Sequence, residues 1–420
     1  MFAITTMVWF WEGAGWPRVY VYDVPEYWDM KTKLRDLARV PAENPEIFGP
    51  KCSAGLYDEY ATHMYSAPMI LLWRILRSPR WTTNPAEADL FFVPMWPKQK
   101  SQKLWEDRCA RDANLFLAEK LRHLTPKTAH RHFFVVGKGH VKVGGKCDAW
   151  WKKPENLLLR KAMRFAYSSD YGTSDRIGQE RYGPYTLDTP LEAARLAADL
   201  MDNESPYPHL VSIPYPSSVH VDAATLRTQR RVDWVRTSST SYLASFVGGS
   251  HSRSTFAMAR RVLRKDCAAR PDACFYFNYD RSHGVFTCGL HRFMSNATFC
   301  FQPGGDSPYR KSLYDAFLTG CIPVVFSQYN ARVAPFHFWA GHAANAMVVL
   351  NATAYLAGDL DVLAHLSAID PSIVRKMQAT IALHAHRLHY AIDDYPDDAV
   401  DLLLKGAAHL AATRDRLSSQ

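Results

Sequence analysis

Gly304, Gly305, Ser307, Arg310, Lys311 and Asp315 fall within a dozen consecutive residues, and their types suit an anionic nucleotide. A glycine turn that feeds a helix leaves backbone N–H groups and a partial positive charge facing outward, which favours a phosphate. Arg310 and Lys311 add full charges on that first turn. Asp315, about one and a half turns further on, is placed to accept hydrogen bonds from a ribose. The flanking residues supply the elements such a unit needs. Thr298 to Phe301 is a short apolar, β-prone run ended by Pro303, Gly304 and Gly305. Asp306 or Ser307 is expected to cap the following helix, with Pro308 in its first turn. Leu313, Ala316 and Phe317 recur at helical spacing, Gly320 stops the helix, and Ile322 to Phe326 reads as a buried strand. Strand–turn–helix–strand units with a Gly-Gly turn are common, and most bind nothing, so chemistry alone leaves a structural turn open.

A second glycine turn, Gly248 and Gly249 after Val247, also leads into a basic helix. Arg253, in the loop, suits the other side of a diphosphate. Arg260 and Arg261 fit either that role or a solvated helix face. Other motifs fall away. The stretch from Gly137 to Lys146 lacks phosphate-loop spacing, and Cys147 replaces the hydroxyl that would hold magnesium. Asp359 and Asp361 have the D-x-D spacing of metal-dependent transferases, but they open a helix, where aspartates cap. His386 and His389 lie at i and i+3 and read as a solvated helix face. No metal site is expected.

The chain has 420 residues, 47% of them hydrophobic and 22% charged, which suits an ordinary globular protein of two domains. Its formal net charge of +9 favours anionic partners such as nucleoside diphosphates, acidic glycans or phospholipid. Scattered basic residues without a recognition module argue against nucleic acid. The eight cysteines contain no CxxC pair. Cys300 and Cys321 read as buried thiols within apolar strands. Cys267, Cys274 and Cys288 are close enough in sequence for a disulfide in an oxidising lumen, and sequons at Asn203, Asn296 and Asn351 permit a secretory location. The apolar run from Phe2 to Trp11 is too short to span a bilayer and makes a poor signal peptide. Either the protein is soluble or its true start lies upstream.

Strands are expected at 18–25, 88–94, 132–137, 210–216, 242–249, 274–277 and 347–350. Helices are expected at 57–76 (interrupted at Pro68), 105–124, 255–267, 371–391 and 397–413. Alternating strands and helices imply parallel sheets covered on both faces. The polar stretch 222–236 reads as a hinge. The expected organisation is an α/β protein with an N-terminal Rossmann-like domain at 17–236, a nucleotide-binding one at 237–396, and a helical tail at 397–420.

Six segments in order resemble the exostosin-like glycosyltransferases: 19–25, 86–94, 132–136, 213–216, 242–249 and the opening motif. Arg310, Lys311 and Ser312 followed by Leu, Tyr, Asp and Ala are closest to the plant xyloglucan galactosyltransferase branch. The resemblance implies a GT-B fold and an inverting transfer of a sugar, galactose first, from a UDP-sugar donor to a polysaccharide or glycoprotein glycan acceptor. It also implies no cofactor or metal and a Golgi lumen setting. A type II membrane anchor would follow if the start lies upstream, as would homo- or hetero-oligomers with other glycosyltransferases. On this reading Arg253, Gly304, Gly305, Ser307, Arg310 and Lys311 hold the diphosphate and Asp315 the ribose. The base for an inverting transfer should come from the N-terminal domain, at the end of a strand. Asp148, then His140, then Asp23 are its candidates. The alternatives are a catalytically inactive glycan-binding or scaffold subunit, and a single-sheet nucleotide enzyme of other chemistry.

Overall fold

The computed structural model describes residues 16–23, 45–52, 59–94, 120–136, 158, 161–167, 210–221, 240–249, 255–279, 289–305, 310–326 and 343–418. In its first half, β1 (Val19–Val21) is followed by α1 (Pro45–Phe48), α2 (Ala67–Leu76) and β2 (Trp81–Thr82). Next come β3 (Leu90–Val93), β4 (His132–Val136), β5 (Met163–Ala166) and β6 (Leu210–Ser212). The strands form one parallel sheet in the order β2-β1-β3-β4-β5-β6. All four residues of β3 are buried, as expected for a parallel strand covered on both faces.

The expected helix from Tyr57 is shorter in the structure, because Pro68 starts α2 instead of interrupting it. Glu59 forms an antiparallel bridge with Val219, and Tyr60 one with Lys51, so this stretch is extended. Every residue from Ala67 to Ile75 is buried, so α2 is not the amphipathic helix expected. The helix expected to reach Leu124 gives way to a turn after Lys120; residues 105–119 lie outside the described residues. The short strands β2 and β5 carry no period of their own in the sequence.

The second half builds a five-stranded parallel sheet in the order β11-β10-β9-β7-β8. Its elements are β7 (Tyr242–Val247), α3 (Thr255–Ala269), β8 (Cys274–Phe277), α4 (His291–Ser295), β9 (Ala297–Gln302), α5 (Lys311–Leu318), β10 (Ile322–Val325) and β11 (Val348–Val349). The short helices α6 (Ala352–Ala357) and α7 (Val362–Ser367) follow. Asp361 caps α7, accepting from the N–H groups of Leu363 and Ala364, and it also pairs with Arg270. Two parallel α/β sheets facing a cleft are the GT-B architecture expected from the sequence.

Three local expectations are corrected. First, α5 begins at Lys311 with the extended Arg310 at its N-cap position, later than the sequence suggests; Asp306, Ser307 and Pro308 lie outside the described residues. Second, Cys300 and Cys321 are not free thiols but form a buried disulfide. Parallel pairing places Pro323 beside Cys300, so the residues before β10 meet β9. The expected pairing among the neighbouring cysteines is Cys267–Cys274, and Cys52 is also disulfide-bonded. Third, His386 and His389 do not form a solvated helix face. α8 (Pro371–His384) ends before them, and His389 is fully buried, its Nε2 accepting from Val221 N–H at 2.9 Å.

The chain then returns to the first sheet. α9 (Ala399–Ser418) packs on β3 and the turn at 129–131. Arg74 of α2 donates to Asp398 at 2.6 Å and Trp73 Nε1 to the Ile392 carbonyl at 3.3 Å. Among the described residues, no helix is long and apolar enough to cross a membrane.

Candidate functional site

The sheets meet at a cleft open to solvent. Its lining comes from both halves: Glu59, Thr62, Tyr215 and Ser218 from the first, and Gly248, Gly249, Arg260, His291, Arg310, Lys311 and Asp315 from the second. The Gly248–Gly249 turn opens onto it, and the Gly304–Gly305 turn is tied to it through Arg260 and Arg310. Gly304 has φ +79°, a backbone conformation that favours glycine. Gly305 lies under Arg310: a Cβ there would come within 3.0 Å of Arg310 Nε. A Cβ on Gly248 would meet the Phe246 ring first, at 3.1 Å, with Arg260 Nη1 in ordinary contact at 3.4 Å.

Arg260, from the first turns of α3, joins the two glycine turns. Its Nε donates to the Gly304 carbonyl at 2.6 Å and its Nη1 to the Gly249 carbonyl at 2.8 Å. A planar guanidinium suits two acceptors in fixed directions. The sequence left Arg260 ambiguous, and the structure places it in the cleft.

Asp315 sits at the centre of a charged network. Its Oδ1 accepts from Ser217 Oγ at 2.7 Å, Ser218 N–H at 3.1 Å and Lys311 Nζ at 3.0 Å. Lys311 Nζ also donates to Asp315 Oδ2 at 3.0 Å and to Ser218 Oγ at 2.6 Å. His291 Nε2 stands 3.2 Å from Asp315 Oδ1 and its Nδ1 3.2 Å from Glu59 Oε1. Gly289 N–H donates to the same Glu59 oxygen at 3.0 Å. Burial opposes charge on His291, but hydrogen bonds and attraction from Asp315 and Glu59 outweigh it and raise its pKa to about 9. Burial would likewise raise Asp315, yet Lys311, His291 and Ser217 hold it well below the usual carboxylate range. Glu59 is also lowered, its burial offset by His291 and the Gly289 N–H. From Glu59 through His291 to Asp315 the network at neutral pH is therefore carboxylate, imidazolium, carboxylate.

Of the residues expected to serve the site, Arg310, Lys311 and Asp315 line the cleft, and Gly304 and Gly305 lie against the lining residues Arg260 and Arg310. Asp23 is exposed just past the end of β1 and is not among the described residues lining the cleft. Asp148, His140, Arg253 and Ser307 lie outside the described residues. Glu59, Ser217, Ser218 and His291 were missed. Nothing local in the sequence marks them, because their partners are distant: Gly289 and Glu59 are 230 positions apart, Ser217 and Asp315 are 98.

The chain is similar to known proteins over most of its length. The Arabidopsis thaliana protein named xyloglucan-specific galacturonosyltransferase 1 is 28% identical over 76% of this chain and 45% of its own. A probable xyloglucan galactosyltransferase, GT20 of the same plant, is 27% identical over 76% of this chain and 52% of its own. The chain thus spans about half the length of these relatives. Among solved structures, the pneumococcal O-GlcNAc transferase GtfA in complex with UDP and GlcNAc superposes with a TM-score of 0.36 at 10% identity, over 71% of this chain and 59% of that one. So loose a superposition carries no argument. The exostosin GT47 domain matches residues 16–339, and the chain belongs to that family of glycosyltransferases.

Proposed function

We propose that the cleft binds a UDP-sugar and that the protein transfers the sugar, with inversion, to a hydroxyl of a polysaccharide or glycoprotein glycan. The observation that carries this reading is Arg260 bridging both glycine turns while Arg310 covers Gly305. Two guanidinium groups and the N-terminus of α5 then converge where a diphosphate would lie. With no metal ion or other cofactor, these groups carry the charge of the departing UDP, each such contact supplying about 3 kcal/mol to the transition state. Asp315 receives only Lys311 on its Oδ2 among the described residues, which leaves acceptor capacity for a ribose hydroxyl. Lys311 fixes that carboxylate by donating to both of its oxygens.

The relatives' names point to galactose or galacturonic acid, and galactose is the first choice. Asp148 and His140 remain the proposed base, ahead of the exposed Asp23. The disulfides suit an oxidising compartment, consistent with a Golgi lumen. The test is a panel of UDP-sugars, with hydrolysis and transfer to oligosaccharides followed by UDP release. One UDP-hexose is expected to turn over, and Asp315→Ala to abolish the turnover. Tight UDP binding with no turnover on any acceptor would instead favour a catalytically inactive glycan-binding subunit.

A further inference from the structure

The contact of His291 with Glu59 joins the halves of the molecule across the cleft, and it uses both ring nitrogens. Each nitrogen faces a carboxylate at 3.2 Å. A neutral imidazole has one N–H and would leave one of these buried oxygens facing a lone pair. Nδ1 approaches Glu59 outside hydrogen-bond geometry, so that contact is one of charge, and only the imidazolium sets a positive charge against both carboxylates. The contacts also close a ring. Glu59 pairs with Val219, Ser217 and Ser218 just before it donate to Asp315, and Asp315 returns through His291 to Glu59. Gly289 N–H adds a second link from the same segment to Glu59. We propose that His291 is a positioning residue of the donor site, its imidazolium tying Glu59 of the first half to Asp315 of the second and so setting both the width of the cleft and the orientation of the ribose-binding carboxylate. This inference rests on the donor-site reading of the cleft.

Removing the proton leaves two buried carboxylates facing each other across a neutral ring, so the strap should loosen at alkaline pH. The groups around it permit that assignment. Glu59 comes from the 59–60 segment, and Asp315 and Lys311 from α5. Behind Val219, His220 is kept neutral by burial, its pKa pushed down to about 3. The packed strand β7 contributes Tyr242 and Ser245, and β9 contributes no acidic or basic side chain. The folded pKa of about 9 lies above the ordinary 6.5. The strap's stabilisation is therefore complete below the ordinary value and lost as pH rises through the folded one.

The experiment compares the full chain with His291→Gln and Glu59→Gln in two assays, each run from about pH 6.5 to about pH 10. In the first, unfolding temperature, wild type should exceed His291→Gln at the acid end, with the gap closing at the alkaline end. Glu59→Gln should move the midpoint of that loss to lower pH by about a unit. In the second, UDP binding, the wild-type Kd should rise about tenfold across the range, while His291→Gln binds more weakly throughout with a flat profile. Parallel pH profiles for wild type and His291→Gln in both assays would overturn the proposal. A pH-dependent stability gap without UDP binding by any of the three proteins would confirm the strap but refute its role at a donor site.

Discussion

Gly305 lies beneath the Arg310 guanidinium, and a methyl there would make that group give way. Gly305→Ala keeps an allowed backbone, so it should fold with little loss of stability. Its UDP affinity should fall about tenfold as Arg310 shifts, by titration calorimetry. Arg260→Lys should not preserve affinity, since an ammonium on a flexible stem cannot reproduce two fixed donations to Gly249 and Gly304. Equal UDP affinity in Arg260→Lys and wild type would remove Arg260 from the site. At this scale the sequence was legible where chemistry is local. Lys311 and Asp315 stand at helical spacing, and the structure pairs them. Glu59 and His291 were not legible, because a contact across 230 positions leaves no mark on the residues around either end.

The elements that carry these residues were legible in kind but not at their ends. β8 falls at 274–277 as expected, since a short apolar run between turn residues leaves little choice. α5 starts later than the sequence suggested because a good capping residue does not determine where a helix begins; Arg310 is extended, so the first turn opens after it. The disulfide was missed for a related reason. Cys300 and Cys321 look like core residues, and only the pairing of β9 with β10 puts them side by side. It closes the β9–α5–β10 unit over a separation of 21 residues. The double variant Cys300→Ala/Cys321→Ala should lose about 3 kcal/mol in denaturant unfolding, from loop-closure entropy returned to the unfolded chain. An unchanged denaturation midpoint would show that β9 and β10 hold the unit without it.

At the scale of the molecule, the segment after α8 fastens the C-terminal helix to the first sheet. Arg74 is 2% exposed and pairs with the fully buried Asp398 as well as with Asp394, so the Asp398 charge is matched by Arg74. Arg74→Ala should cost about 3–5 kcal/mol by leaving a buried carboxylate unpaired, while Arg74→Met with Asp398→Leu should cost less than the single change. A double variant less stable than Arg74→Ala would contradict this. Two parallel sheets were legible from the alternation of strands and helices, whereas the return of the C-terminal helix to the first sheet was not, since it depends on Trp73, Arg74 and Asp398 meeting across the chain. The central claim is that the cleft between the sheets is a UDP-sugar donor site, and its most direct test is thermal unfolding of the full chain with UDP. UDP at about 100 times its Kd should stabilise wild type by about 2.7 kcal/mol, and at the same concentration should do far less for Arg260→Ala. Folded wild-type protein whose unfolding temperature does not move with UDP or any UDP-sugar would contradict the account.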